Sequence, residues 1–295
     1  MKNFSSQCFV FCLYLCTGMG AAQAFGLVYE AASDAIYAHP HDLVLSADQR
    51  FLYVADNGNN RVAVLDPENL KLLGSFGQGE LSEPHDVVFD SAGRLLVADT
   101  GGSRIAIYEV ERANGKLIAE LSASMRRPEG VDVHPNGRIY ATGAASDNVV
   151  AYDNGRVVNQ LGGFSGPHDV RAAPDGSLWI ADAGNDRLVN VTQDLQMIRI
   201  LQGESYQFNG PRYLDFDQAG RLYVADKYTN QIKVLAPDLS LLLTLGEHQR
   251  TEGPGHFNRP EGIAIQGNRV WFSDTYNDRV VRYRIEELLR EWNNY

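Results

Sequence analysis

The sequence predicts an all-β fold, a six-bladed β-propeller of four-stranded blades, on three observations. A short phrase built on a proline returns six times: His39-Pro40-His41-Asp42, Glu83-Pro84-His85-Asp86, Arg127-Pro128-Glu129-Gly130, Gly166-Pro167-His168-Asp169, Gly210-Pro211-Arg212-Tyr213 and Arg259-Pro260-Glu261-Gly262. These prolines are 44, 44, 39, 44 and 49 residues apart, a period that belongs to solenoids and propellers. Between them the chain runs in short stretches rich in Val, Ile, Leu and Tyr, bounded by Gly, Asn and Asp and without helical spacing.

Taken in order, residues 1–24 read as a signal peptide. Lys2 is the only charge before Glu30, the stretch from Cys8 to Cys16 is apolar, and Ala22-Gln23-Ala24 has the small residues of a cleavage site. The apolar run is too short to span a bilayer, so no membrane insertion is expected after cleavage. Removing the leader takes away Cys8, Cys12 and Cys16, every cysteine in the chain, and the loss of Lys2 moves the net charge from −11 to −12. The mature chain then has neither disulfide nor thiolate chemistry, and a periplasmic or secreted protein is expected, as a monomer. An acidic chain with no basic patch excludes nucleic acid and anionic membrane surfaces as partners.

Residues 25–285 form the propeller. The second unit shows the pattern: strand His85 to Asp90, turn Ser91-Ala92-Gly93, strand Arg94 to Ala98, loop Asp99 to Ser103, strand Arg104 to Glu109, turn Ala113-Asn114-Gly115, strand Lys116 to Leu121. Four antiparallel strands make one blade. The last unit has strands near Gly262 to Ile265, Val270 to Ser273 and Arg279 to Ile285, while the tail 286–295 looks helical, leaving that blade one strand short. Gly26-Leu27-Val28-Tyr29-Glu30 has strand character and is expected to complete it, so that no edge is left open.

Comparing the blades separates scaffold from site. After the second strand comes Asp56, Asp99, Asp182, Asp226 or Asp274, with Thr142 in blade three; five residues later comes Arg61, Arg104, Arg187 or Arg279, with Gln231 in blade five. A general acid is needed once, so five aspartates read as turn residues that bind backbone donors of their own turn and hold the arginine. The residue after the proline varies instead: His41, His85, Glu129, His168, Arg212, Glu261. Inner strands line the channel, so these six side chains converge on one mouth, with His41 across from His168, His85 across from Arg212 and Glu129 across from Glu261. Imidazoles and carboxylates from several blades form a divalent metal site, with zinc or iron favoured over calcium by the nitrogen donors. Asp42, Asp86 and Asp169, each following a His, either orient a ligand ring or point between blades. His39, His134, His248 and His256 read as solvated loop residues, and the long loop Gly246 to Arg259 as a lid.

The run Gly255-His256-Phe257-Asn258-Arg259-Pro260-Glu261-Gly262-Ile263-Ala264, followed by Ser273-Asp274-Thr275-Tyr276-Asn277-Asp278-Arg279-Val280, resembles the NHL-repeat propellers, a likeness that covers residues 39–285. Within that family the Pro-His-Asp phrases are similar to those of the peptidylamidoglycolate lyase propeller. The likeness implies a zinc held by His41, His85 and His168, with Arg212 as the channel-facing cation and Tyr228 or Tyr276 as the catalytic phenol. The lyase has its ligands on alternate blades; here they fall on blades one, two and four. Glu129 and Glu261, in Pro-Glu-Gly phrases, resemble instead the calcium-binding Glu of lactonase-like propellers, which implies a hydrolase. A third reading is a binding propeller that takes a protein, peptide or glycan on the same face, with Tyr206, Phe208, Tyr228, Phe257 and Tyr276 as its aromatic contacts.

Overall fold

The computed structural model describes residues 9–13, 23–247 and 253–289. Six antiparallel sheets ring a channel, each inner strand touching those of the blades on either side, and blade six touching blade one. Blade one is Pro40–Leu45, Leu52–Asp56, Arg61–Leu65 and Leu72–Phe76. Blade two is Pro84–Phe89, Arg94–Asp99, Arg104–Glu111 and Asn114–Leu121. Blades three, four and five open on Pro128–Val133, Pro167–Ala172 and Pro211–Phe216.

The burial of each strand follows from its place in the blade. Second strands are covered on both faces by neighbouring blades, so Leu52–Asp56, Leu178–Asp182 and Leu222–Asp226 are buried at every residue. That is why they read as unbroken apolar runs. Outer strands face water, and Asn114–Leu121 and Met197–Leu201 are largely exposed. The core lies between blades: Tyr53, Val62 and Val64 of blade one pack on Val87, Val97 and Tyr108 of blade two. Each large side chain buried there contributes about 1.5–3 kcal/mol.

Blade six closes as expected, Ile263–Gln266, Arg269–Asp274 and Arg279–Leu289 being completed by Gln23–Ala32 from the N-terminal end. Phe9–Leu13 pairs with the outside of that strand, Phe9 opposite Val28. Of the expected leader, residues 1–8 and 14–22 lie outside the described residues, while Gln23 and Ala24 belong to the closing strand. The helical expectation for the tail is corrected over 286–289, where Gly26 pairs with Glu286 and Gln23 with Leu289. A strand partner along that whole length satisfies backbone groups that an isolated turn of helix would leave open. Residues 290–295 lie outside the described residues. In blade two the outer hairpin is tighter than expected: it turns at Arg112-Ala113, and Asn114 already belongs to the strand.

The repeated loop aspartates are scaffold, although their backbone donors come from elsewhere than expected. Asp56, Asp99, Asp182, Asp226 and Asp274 accept the N–H groups of Ala38, Ser82, Ser165, Asn209 and Asn258. Those residues sit in the loop that leads into the same blade, so the clamp ties a blade's approach to its second strand. The arginines close it, as in Arg61 Nε to Asp56 at 2.6 Å and Arg104 Nε to Asp99 at 2.8 Å. In blade five, where Gln231 replaces arginine, Lys233 donates to Asp226 at 2.6 Å. In blade three, Thr142 accepts Gly130 N–H at 2.8 Å and donates to the His168 carbonyl at 3.1 Å.

Candidate metal centre at the channel mouth

Pairing between first and second strands slips just after the proline, between Pro84 and Asp86 in blade two and likewise in blades one, three, four and five. Such a bulge re-aims the side chains beside it. At the mouth the rings of His41 and His85 lie 4.3 Å apart, with His168 at 6.4 and 5.8 Å from them. Glu261 Oε2 is 3.2 Å from His41 Nε2 and 3.5 Å from His168 Nε2, and Glu129 Oε2 is 3.3 Å from His168 Nε2. All five expected ligands therefore meet in one cluster, and donor atoms of His85, Glu129 and His168 fall within 4.8 Å of one another. The Pro-Glu-Gly glycines permit this approach: a Cβ on Gly262 would stand 2.3 Å from the His41 carbonyl oxygen, and one on Gly130 2.6 Å from that of His168.

The protonation states follow from burial. Desolvation holds all three imidazoles below the usual histidine value, His85 at about 4 with His41 as the second cause. They are neutral at pH 7. Burial would raise Glu261, but His41, Lys227 and Arg212 outweigh it and hold the carboxyl at about 2. His41 Nδ1 lies 2.8 Å from the His39 carbonyl and His85 Nδ1 2.9 Å from that of Glu83. The hydrogen-bond network thus assigns the ring proton of both to Nδ1. Asn57 Nδ2 also stands 3.1 Å from His85 Nδ1, but the amide has the Pro84 carbonyl as its acceptor, at 3.3 Å. Both rings accordingly present a bare Nε2, and that of His41 faces an ionised carboxylate oxygen at 3.2 Å. Two acceptors at that distance call for a cation between them. Neutral imidazoles flanked by carboxylates, two of them anchored through Nδ1 while His168 Nδ1 is buried without a hydrogen-bond partner, make a donor set that suits a transition-metal ion.

Three contributors escape a reading of the post-proline position alone. Lys227 Nζ reaches Glu261 Oε1 at 2.6 Å. The position after the loop aspartate is Asn57, Thr100, Gly143, Ala183, Lys227 and Thr275, so a blade-by-blade comparison does expose a lone cation there. Tyr213 stands where other blades carry Asp or Gly. Its ring packs edge-on against His168 at 4.8 Å, and its hydroxyl lies 2.9 Å from the carbonyls of His85 and Glu129. Arg171 lies deeper, its Nε donating to the Leu214 carbonyl at 2.9 Å and its guanidinium 3.5 Å from Asp42 and 4.0 Å from Asp132.

Asp42, Asp86 and Asp169 take the second of their two expected orientations. They accept the N–H groups of Ile263, Val131 and Leu214 on neighbouring blades. Asp132 and Asp215 do the same toward Ala172 and Ile265. Burial raises Asp42, Asp86 and Asp169 and brings Asp215 to about 6, with Arg171 opposing in each case.

Of the remaining candidates, Arg212 Nη2 meets the Tyr228 hydroxyl at 3.3 Å. Tyr276 packs against His39 at 4.5 Å, and both tyrosines stand on the rim. Phe208 and Phe257 are buried and so are not surface contacts, and Tyr206 stacks on Phe208 at 5.4 Å. His134, expected to be solvated, is buried: Nε2 lies 3.0 Å from the Gly176 carbonyl, and Nδ1 accepts Asn136 N–H at 3.1 Å. Its turn is pressed against blade four, which accounts for the burial. His248 lies outside the described residues, as does 248–252 of the expected lid.

The family described as "Lactonase, 7-bladed beta-propeller" matches residues 25–135 and 136–292. Among curated relatives, the peptidylglycine alpha-amidating monooxygenase of Rattus norvegicus is 23% identical over 306 residues, covering 90% of this chain and 31% of that protein. NHL repeat-containing protein 2 of Gallus gallus is 32% identical over 127 residues, covering 38% of this chain and 17% of that protein. The chain thus spans less than a third of these relatives' length. A gluconolactonase from Xanthomonas campestris superposes with a TM-score of 0.68 at 14% identity, covering 89% of this chain and 90% of that one.

Proposed function

The chain belongs to the lactonase family of β-propellers, and from that premise we propose that its channel mouth is a metal-dependent active site for a small-molecule or peptide substrate. The described residues form six blades, one fewer than the family's description names. The observation that carries the reading is the pair of bare Nε2 atoms on His41 and His85, set among His168, Glu129 and Glu261. His41, His85 and His168 would hold zinc or iron, with Glu129 completing the set. A bound divalent ion would supply Lewis acidity to a substrate hydroxyl or carbonyl.

The remaining roles belong to the chain itself. Lys227 fixes Glu261 by their 2.6 Å contact, and Tyr213 sets the plane of His168. Of the two rim phenols, Tyr228 is the one whose hydroxyl meets a ring residue, Arg212, and it is our choice for hydrogen-bonding the substrate hydroxyl. This is the chemistry of a lyase of the peptidylamidoglycolate type. Family membership favours a second reading, lactone hydrolysis, in which calcium replaces the transition ion and Glu129 and Glu261 replace the histidines as its main ligands.

Metal analysis of protein purified without chelator tests this. About one equivalent of zinc or iron is expected, lost in a His41→Ala/His85→Ala variant whose unfolding midpoint shows that it still folds. Metal-free wild-type protein, or a double variant that keeps its metal, overturns the assignment. Calcium that survives the double variant and is lost in Glu129→Gln selects the lactonase reading.

A further inference from the structure

The two Pro-Glu-Gly phrases bring the same side chain to the mouth, yet its surroundings differ. Glu261 is fully buried, and Lys227 Nζ claims its Oε1 at 2.6 Å while Oε2 faces His41 and His168 at 3.2 and 3.5 Å. Glu129 is partly exposed, and among the described residues its ion-pair contact is with His168 alone. The difference comes from one position, the residue after the loop aspartate in the preceding blade. In three blades that side chain donates to the proline carbonyl of the next: Asn57 to Pro84 at 3.3 Å, Thr275 to Pro40 at 2.8 Å, and Thr100 to Pro128, the proline beside Glu129. Gly143 and Ala183 carry no group that could do so. Lys227 departs from this duty and reaches the Glu261 carboxylate instead. Its ammonium is buried, with the rings of Tyr276 and Tyr228 5.5 and 5.8 Å away. A lysine is seldom buried unless its charge is paired, so this one is committed to Glu261.

We propose that Lys227 sets which ion the mouth accepts, by holding one oxygen of Glu261 away from it. Calcium gathers six to eight oxygens and often takes both from one carboxylate, whereas zinc is satisfied by about four ligands rich in nitrogen. With Lys227 on Oε1, Glu261 has a single oxygen left to give beside the three imidazoles. Without Lys227 it has two. The inference rests on reading the mouth as a metal centre, and it names the residue that favours a transition ion over calcium there.

Zinc affinity by chelator competition and calcium affinity by calorimetry, both on chelator-treated protein, test it. Removing the lysine charge tightens both divalent ions, so the ratio of their dissociation constants is the readout. Lys227→Met is expected to shift that ratio toward calcium by about ten-fold or more. Lys227→Arg, which keeps a cation at Oε1, and Lys227→Met/Glu261→Gln, which lacks the freed carboxylate, should stay within about three-fold of wild type. Should Lys227→Met unfold through its buried, unpaired carboxylate, calcium is expected to refold it, and failure to refold overturns the proposal. An unchanged ratio in Lys227→Met, or an equal shift in the double variant, overturns the role of Lys227 and leaves the metal reading standing. Binding of neither ion by wild type or by Lys227→Met sinks the metal reading and this inference with it.

Discussion

The channel holds two layers of ionisable side chains within four positions of the same prolines, and they are put to opposite uses. In the lower layer, Asp42, Asp86, Asp132, Asp169 and Asp215 each give an oxygen to a backbone N–H of a neighbouring blade, around the buried cation Arg171. In the mouth layer, His41, His85, His168, Glu129 and Glu261 turn their lone pairs toward one another. Residue type alone does not separate a weld from a site. The direction of the lone pairs does.

The largest effect that bears on this contrast is expected from Arg171→Met. Burial disfavours the guanidinium's charge, but Asp169, Asp132, Asp215 and Asp42 outweigh it and raise the pKa. Removing the cation leaves buried carboxylates unopposed, a loss of about 3–5 kcal/mol. Urea unfolding should show it, and adding Asp169→Asn should recover part of it by removing a buried acid. Stability within about 1 kcal/mol of wild type would mean that the lower layer is not welded through Arg171.

The two layers should also answer acid with opposite signs in chelator-treated protein. His85 has a folded-state value of about 4 against 6.5 unfolded, so the unfolded chain takes up the proton first. Its contribution is lost as pH falls from 6.5 toward 4. Asp215 has a folded-state value of about 6 against 3.8, so the folded protein takes up the proton first and gains stability as pH falls through that window. Each effect is on the order of 2–3 kcal/mol. His85→Gln should flatten the acid loss and Asp215→Asn should steepen it, as read from urea midpoints between pH 4 and 7. Slopes that move in the same direction would contradict the assignment of opposite roles.

Much of this was legible in the sequence, and the reason is repetition. Six prolines gave the blade count, and the variation among His41, His85, Glu129, His168, Arg212 and Glu261 gave the mouth. What escaped depends on contacts between blades. Lys227 acts across the boundary of blades five and six, and Tyr213 reaches from blade five to carbonyls of blades two and three. The aspartates after each His could not be oriented from alternation, because the bulge after the proline breaks it. Over 286–289 the sequence reads as helix because the strand partner, Gln23–Ala32, lies at the other end of the chain.

The smallest expected effect comes from a position where the blades agree. Asp99 accepts Ser82 N–H at 2.7 Å through Oδ1 and Arg104 Nε at 2.8 Å through Oδ2. Asn in its place keeps the first bond and sets an amide N–H against the guanidinium in the second. Arg104 retains Glu120 and the Glu80 carbonyl, each at 2.7 Å, so the loss should be only about 1–2 kcal/mol. Thr142 shows that a blade tolerates loss of the aspartate when a hydroxyl takes over the local bonds. Asp99→Asn is therefore expected to lower the unfolding midpoint slightly and leave metal content at the wild-type value, whereas Glu129→Gln should do the reverse. Metal loss in Asp99→Asn would mean that agreement among blades does not mark scaffold in this propeller.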